Sequence, residues 1–306
     1  MLSRIADSLY WIGRYVERAD QTARILDVDL QVLAEDATRP AEDRLQEIHR
    51  MFGRPAAAAE DLTAQRTLDL LATDRSNPSS VAGSLLVARE NARGAREVLS
   101  TEVWEALNTT RLELPRTVHP SRMHAFFRWS KDRCAVINGL VEASMVRDEA
   151  WLFLRIGQLI ERIDMISRIL QAHDLEDTDD GAVAVLLRTC SAHEAFIRAY
   201  RGQVSAARAT EFLLLDSLFP RSIAHCLAEL ETALETLARL HGTAFDRLGT
   251  EDPARRAVGA ALASLRYRRL GEVTGNLQDE MEHLQTAMRW ISGALDTQYF
   301  SPQQGG

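Results

Sequence analysis

The chain has 306 residues, of which 46% are hydrophobic, enough to bury a core in one large domain or in two of common size. A net charge of −8 argues against general binding to nucleic acid or to anionic membranes. The three cysteines are widely spaced and no CxxC occurs, which argues against a disulfide framework and a zinc finger. Charges interrupt even the most apolar window, residues 151–170, and the start of the chain does not resemble a signal peptide. We therefore expect a cytoplasmic protein with reduced thiols and with neither a nucleic-acid nor a membrane partner.

Almost every segment has the composition of a helix, because Ala, Leu, Arg and Glu dominate and β-branched runs are scarce. The first helix is predicted from Ser3, a suitable N-cap, to about Glu35. Asn77 and Pro78 predict the start of a helix that runs to about Leu99. A frayed tail is expected from residue 298 to residue 306. The other helices are predicted at residues 41–52, 59–74, 101–113, 120–145, 149–173, 182–200, 205–216, 219–240, 253–270 and 276–296.

Two blocks of sequence occur twice, in the same order. Residues 12–20, IGRYVERAD, recur as IGQLIERID at residues 156–164, an offset of 144. Residues 74–85, DRSNPSSVAGSL, are matched in six positions by DSLFPRSIAHCL at residues 216–227. A repeat of this kind indicates a duplicated architecture. The predicted fold class is all-α, with two copies of a roughly six-helix bundle that are related by a pseudo-two-fold axis and share a core. The first copy would span residues 1–146 and the second residues 147–297.

A Glu-Arg dipeptide lies within each copy of the first block, at Glu17-Arg18 and Glu161-Arg162. The first helix has apolar residues on two opposite faces, so we expect it to be wedged between neighbouring helices. Buried charges require partners, but adjacent residues on a helix point about 100° apart and cannot easily bridge to each other. We therefore predict that Glu17 pairs with Arg162 and that Glu161 pairs with Arg18 across the pseudo-two-fold axis.

A glycine precedes each Glu-Arg dipeptide by one helical turn. Gly13 and Gly157 stand four residues before Glu17 and Glu161, on the same helical face. Because glycine has no Cβ, we expect these positions to permit a close approach of the two helices.

Two interpretations of the four charged residues stay open. The first is an ion-pair latch that sets the register between the copies, which is the best attested role of buried ion pairs. The second is a polar site at which arginines hold a carboxylate or phosphate and a glutamate acts as a base, in an enzyme or a small-ligand-binding protein. A site would require a pocket that reaches solvent, whereas a latch would be closed and dry.

At these residues the chain resembles the alpha-E family, a predicted helical domain that is named for its Glu-Arg motif and typically occurs as a tandem duplication. The resemblance covers nearly the whole length and is carried by four segments. These are MLSRIADSLYWIGRYVERAD, NPSSVAGSLLVARENARGAREVLSTEVWEALN, RDEAWLFLRIGQLIERIDMISRIL and FPRSIAHCLAEL. Only Glu17, Arg18, Glu161 and Arg162 correspond to the motif. The second copy has Gln158 where the first has Arg14, so the two copies need not be equivalent.

The resemblance also implies a functional setting. The gene neighbours of the family include ATP-grasp-type ligases, transglutaminase-like proteins and an NTN-hydrolase peptidase, which together suggest a peptide synthesis or modification system. No GxxxxGK[ST], GxGxxG or HExxH occurs in this chain, so ATP chemistry would reside in a partner. The leading expectation is an accessory or interaction protein without independent catalysis and without a cofactor.

Three further features have ordinary structural explanations. The helix starts at Ser79, Ser80, Arg221 and Ser222 could bind an anion, but capping explains them as well. Glu280 and His283 form one ExxH, whereas a di-metal bundle needs two such motifs and further glutamates, so no metal is predicted. Cys190 lies one turn from His193, yet a buried structural thiol is the simpler interpretation.

Overall fold

The computed structural model describes residues 1–35, 40–53, 62–173, 180–242, 250–267, 271 and 275–301. Within these ranges the chain is mostly helical and forms no strand, which confirms the predicted all-α class. The α-helices of these ranges are α1 (Ser3–Glu35), α2 (Ala41–Met51), α3 (Ala64–Leu68), α4 (Val81–Gly94), α5 (Thr101–Glu113), α6 (Met123–Ser144), α7 (Glu149–Ala172), α8 (Asp180–Thr189), α9 (His193–Tyr200), α10 (Ala206–Leu215), α11 (Ile223–Leu240), α12 (Pro253–Tyr267) and α13 (Leu277–Leu295). None of these helices is both long and apolar enough to cross a membrane.

The two longest helices, α1 and α7, form the centre of the molecule and pack extensively against each other. Helices α4 and α6 cover α1, whereas α11 and α13 cover α7. Helix α12 packs on α11 and α13, and α5 packs on α4 and α6. Because α1 is enclosed in this way, Leu9, Ile12 and Ile25 are fully buried on its different faces. This burial confirms that the helix is wedged between neighbours.

The closest approach of α1 and α7 is at two glycines. A Cβ atom on Gly13 would lie 2.0 Å from the backbone oxygen of Leu154, and one on Gly157 would lie 2.0 Å from that of Tyr10. No real Cβ tolerates such a distance from a carbonyl oxygen, so only glycine permits this crossing. The predicted role of both glycines is confirmed.

Some predicted helix ends are corrected by local hydrogen bonds. Helix α4 begins at Val81 rather than near Pro78, because Ser80 is its N-cap and accepts a hydrogen bond from the Gly83 backbone N–H. The Asn77 side chain instead donates to the Leu70 carbonyl, within the preceding turn. The same helix ends at Gly94, followed by a short 3-10 turn, and not near residue 99 as predicted.

The helix predicted at residues 182–200 is two helices, α8 and α9. Ser191 between them has a φ of 55°, a left-handed conformation that ends the first helix. Its hydroxyl accepts a hydrogen bond of 2.5 Å from Arg24 of α1, a contact that the local sequence did not indicate. Parts of two other predicted helices, residues 59–61 and 268–270, lie outside the described residues.

The prediction of a frayed tail from residue 298 is wrong for residues 298–300. A π-helical turn, Asp296–Phe300, directly continues α13. The Phe300 ring packs against the rings of Tyr10 and Phe153, with centroids 5.3 and 5.7 Å away. Aromatic packing therefore holds this end against both central helices. Residues 302–306 lie outside the described residues.

Candidate functional site: a buried Glu-Arg cluster

The close approach at the two glycines brings the two Glu-Arg dipeptides together. Glu17 and Arg18 stand one turn beyond Gly13 on α1, and Glu161 and Arg162 stand one turn beyond Gly157 on α7. Each side chain therefore meets the opposite helix rather than its neighbour in sequence. We call these four residues, with the arginines and amides that contact them, the Glu-Arg cluster.

Glu17 is bound by Arg162 through two parallel hydrogen bonds. The Arg162 Nε and Nη2 atoms each donate to one carboxylate oxygen at 2.7 Å, the bidentate geometry that suits a guanidinium and a carboxylate. Gln21 and Gln158 donate amide hydrogens to the same carboxylate at 3.0 and 3.3 Å. A second guanidinium, from Arg221, lies 3.5 Å from Oε1.

Glu161 is bound by two arginines, both from α1. Arg18 donates from Nε to Oε1 at 2.5 Å and from Nη2 to Oε2 at 3.0 Å. Arg14 donates from Nε to Oε2 at 2.5 Å, and its Nη1 donates to the Tyr10 hydroxyl at 2.7 Å. Together with the Arg162 bonds, these contacts confirm the crosswise pairing of Glu17 with Arg162 and of Glu161 with Arg18.

Both carboxylates are shielded from solvent, since Glu17 is 0% and Glu161 is 1% exposed. Burial alone would raise the pKa of each, but the adjacent guanidiniums outweigh it. Arg162 and Arg221 hold the pKa of Glu17 far below its ordinary value. Arg14 and Arg18 lower the pKa of Glu161 to about 2. Both groups are therefore fixed carboxylates at neutral pH, with their oxygens occupied by donors.

Further ion pairs lie about one helical turn beyond each glutamate of the motif, at Asp20 on α1 and at Asp164 on α7. Asp20 accepts hydrogen bonds from Arg24 at 2.9 Å and from Arg221 at 2.7 Å. Asp164 accepts one from Arg168 at 2.9 Å, in the position of the repeat that corresponds to Asp20 and Arg24. Arg221 therefore links the outer carboxylate to Glu17.

Arg14 and Arg221 were not predicted as members of the cluster. Arg14 precedes Arg18 by one turn on the same face of α1, a signal that could have identified it. Arg221 lies in the turn before α11, more than 200 residues from Asp20 in sequence, and no local pattern points to the contact. The predicted anion site at this helix start therefore contributes its arginine to internal ion pairs.

The serines at the two predicted anion sites cap their own helices. Ser80 and Ser222 accept hydrogen bonds from the backbone N–H groups of Gly83 and His225, at 2.9 and 3.1 Å. Their hydroxyls also donate to the carbonyls of Asp74 and Asp216. The Ser79 backbone N–H donates to the Asn77 side chain. Capping accounts for these contacts, and anion binding at either helix start stays a prediction.

The cysteines are buried thiols. Burial raises the pKa of Cys190 to about 12 and that of Cys226 to about 11, so neither forms a reactive thiolate at neutral pH. The Cys134 thiol is buried as well, with a pKa well above its ordinary value. Over the described ranges, no group of three or more His, Cys, Asp and Glu side chains is placed to hold a metal ion.

The fold and the cluster define a class: an all-helical protein whose two central helices are joined by reciprocal Glu-Arg ion pairs. The chain belongs to the Alpha-E family, described as a predicted alpha-helical domain with a conserved ER motif, whose sequence profile matches residues 1–300. The only two Glu-Arg dipeptides of the chain are those of the cluster.

Curated relatives of the chain include uncharacterized proteins of Mycobacterium bovis and Mycobacterium tuberculosis. One from each species is 26% identical over 270 residues, and these matches cover 78% of this chain. They cover 30% of each relative, so the chain spans less than a third of the length of these relatives. No solved structure matches the chain significantly.

Proposed function

We propose that the protein is an accessory interaction protein without independent catalysis, which acts with an ATP-grasp-type ligase in a cytoplasmic peptide synthesis or modification system. A transglutaminase-like protein or an NTN-hydrolase peptidase is a further partner of the same system. In this proposal the Glu-Arg cluster is a structural latch between two duplicated units, residues 1–146 and 147–297.

The observation that carries the proposal is the closure of the cluster. A general base must reach the proton of a substrate with a free oxygen lone pair. Glu17 and Glu161 instead have both oxygens bound by guanidiniums and almost no exposed surface. Their lowered pKa values make them poor proton acceptors at neutral pH. These features favour the latch over an enzyme that uses the cluster to hold a carboxylate or phosphate.

Matching contacts in the two halves support the duplicated arrangement. The Gly13–Leu154 and Gly157–Tyr10 approaches are related by the same offset of 144 residues as the sequence blocks. The capping hydrogen bonds of Ser80 and Ser222 also correspond, because these serines are 142 residues apart, the offset between the second pair of sequence blocks. Contacts that recur at the repeat offsets are those expected when two copies of one unit pack across a pseudo-two-fold axis.

The partner is inferred from the family and its relatives. The alpha-E resemblance implies a setting of amide-bond chemistry, which requires an activating ATP enzyme that this chain does not resemble. The mycobacterial relatives carry the matching region as 30% of a longer chain. This unit therefore occurs beside other polypeptide segments, as expected for a component of a larger assembly.

The test is reconstitution with the ATP-grasp-type ligase of the same host. We expect the two proteins to co-elute on size-exclusion chromatography. ADP release in the presence of ATP and mixed amino acids should be absent with this chain alone and higher with the pair than with the ligase alone. Product formation by this chain alone would contradict the accessory role, and separate elution without stimulation would contradict the ligase partnership.

A further inference from the structure

A cavity of about 530 Å³ lies beside the crossing of α1 and α7, adjacent to the Glu-Arg cluster. Helices α1, α6, α7 and α11 and the turn before α7 contribute to its walls. Its volume falls within the range of small-molecule sites, roughly 300–1,000 Å³. Its polar lining includes Glu142, Arg147, Trp151, Arg155, Gln158 and Glu229.

One wall of the cavity is aliphatic. Ile12 and Val16 of α1, Ile137 of α6 and Leu154 of α7 line it, and all four are buried residues of the core. A ligand that fills the cavity would therefore place an apolar portion against these side chains, which favours an aliphatic group over a fully hydrated one.

Two guanidiniums that also line the cavity are paired with exposed carboxylates. Arg155 lies 3.4 Å from the Glu229 carboxylate, and Arg147 lies 2.7 Å from that of Glu142. Both glutamate side chains are 47% exposed, and exposed ion pairs contribute little to stability. An anion in the cavity can therefore displace these carboxylates at small cost.

Trp151 also lines the cavity and carries a donor without a partner. The Trp151 indole Nε1–H is buried and has no acceptor among the described residues. The guanidinium of Arg147 stacks 4.3 Å from the centroid of the ring. Buried donors without acceptors are rare in folded proteins, and a bound acceptor group is one ordinary explanation.

Two residues of the first half that correspond to lining residues of the cavity contact other side chains. The repeat relates Leu154 and Gln158, which line the cavity, to Tyr10 and Arg14. There, the Phe300 ring packs against Tyr10, and the Arg14 guanidinium binds Glu161. The equivalents of these two lining residues are thus engaged by other side chains of the protein.

We propose that this cavity binds a small carboxylate that carries an aliphatic group. Arg155 and Arg147 bind the carboxylate, and the aliphatic wall binds the apolar group. Because the surrounding chain covers the Trp151 Nε1 atom, the ring must rotate for its N–H to reach the same carboxylate.

Arg155 also donates to the side-chain Oε1 of Gln158 at 2.7 Å, and the Nε2 of the same amide donates to Glu17 at 3.3 Å. A ligand bound to Arg155 can thereby affect Glu17 of the buried cluster through the hydrogen bonds of the Gln158 side chain. Of the Glu-Arg cluster, the amide Gln158 lines this cavity, whereas Glu17, Arg18, Glu161 and Arg162 do not. The four charged residues of the motif therefore stay closed, and the accessory role proposed above does not depend on this site.

The test uses N-acetyl-leucine as the probe and N-acetyl-leucinamide as a neutral control with the same side chain. We expect saturable heat of binding in calorimetry for the acid and none for the amide at the same concentrations. The acid should also shift one indole N–H signal in the nitrogen–proton NMR spectrum. The Trp151→Phe variant assigns that signal, since the signal is missing in the variant.

Two substitutions with opposite expected effects separate binding from a loss of fold. Arg155→Gln should weaken binding about tenfold, because a charge-assisted hydrogen bond to the carboxylate is lost. Glu229→Gln should tighten binding about threefold, because it removes the carboxylate that competes for Arg155. Arg128→Gln, at an exposed position of α6, is the matched control and should leave binding unchanged. Equal binding of acid and amide, no binding of either, or weaker binding in Glu229→Gln would overturn the proposal.

Discussion

Glu17 and Glu161 occupy equivalent positions of the repeat, yet they are held in different ways. Each receives one guanidinium from the opposite Glu-Arg dipeptide, Arg162 for Glu17 and Arg18 for Glu161. The second guanidinium comes from elsewhere. Glu161 obtains it from Arg14 on α1, whereas Glu17 obtains it from Arg221 in the turn before α11.

The difference follows from two substitutions within the repeat. Where the first copy has Arg14, the second has Gln158, an amide that donates a single hydrogen bond to Glu17. Where the first copy has Ser79, the second has Arg221, which restores a cation beside Glu17. Burying an ionised carboxylate costs several kcal/mol of folding free energy, on the order of its desolvation penalty in a relaxed protein interior. Neighbouring cations compensate this cost. The comparison shows that the surroundings preserve the local charge balance even though the position of the second arginine changes.

The two motif arginines also differ in burial, with side-chain exposures of 9% for Arg162 and 18% for Arg18. We expect Arg162→Leu to destabilise the fold by about 3–5 kcal/mol, the usual cost of leaving a buried charge with its main partner removed. Arg18→Leu should cost about 1–3 kcal/mol, because Arg14 still compensates Glu161. Urea unfolding measures both losses. The control Arg93→Leu, at a highly exposed position, should have little effect on stability. Equal losses of stability in Arg162→Leu and Arg18→Leu would contradict the expected difference between the two motif arginines.

Acidification should weaken the ion pairs of the Glu-Arg cluster, and the sign follows from the lowered pKa values of the two glutamates. The pKa of Glu161 is about 2 in the folded protein, below its ordinary value of 4.5, so folding favours the ionised form. Its contribution, on the order of 3 kcal/mol, is present above about pH 4.5 and is lost as the pH falls toward 2. Glu17 acts in the same direction. Urea unfolding at several pH values should give a shallower acid slope in Glu161→Gln than in the exposed control Glu105→Gln. An unchanged slope would show that the ion pair is not linked to folding.

The two glycines should be equivalent, in contrast to the two carboxylates. Gly13→Ala and Gly157→Ala each place a methyl group 2.0 Å from a backbone oxygen, so the helices must separate. We expect similar losses of about 2–3 kcal/mol from overpacking. The matched control is Gly293→Ala in α13, where no atom lies near the added Cβ. That variant should be more stable than the parent by about 0.5–1 kcal/mol, the helix propensity difference. Calorimetric melting would measure all three, and a neutral Gly13→Ala would contradict the close crossing.

The smallest loss of stability is expected from Arg221→Ser. This substitution gives the second copy the residue that the first copy has at the equivalent position, Ser79. Asp20 retains Arg24, and Glu17 retains Arg162, so the loss should be about 1 kcal/mol. A double-mutant cycle with Asp20→Asn measures the coupling of Arg221 to Asp20. A loss as large as that of Arg162→Leu would mean that the second guanidinium matters as much as the motif arginine.

The sequence by itself was sufficient for the helical class, the two central helices, the glycine crossing and the crosswise pairing. Helical periodicity reports which residues share a face, and the repeat shows which faces must meet. Composition alone also indicated that the cysteines are buried thiols, which agrees with the raised pKa of Cys190 and Cys226.

The tertiary structure alone decided the second cation at each carboxylate, the break at Ser191, the docking of Phe300 and the cavity beside Trp151. Arg221 meets Asp20 across 201 positions, and Arg24 meets Ser191 across 167. Such contacts depend on the reach and packing of side chains from separate helices, which no local period encodes. Periodicity assigns a residue to a face, but only the assembled helices determine which atoms on facing surfaces come within hydrogen-bonding distance.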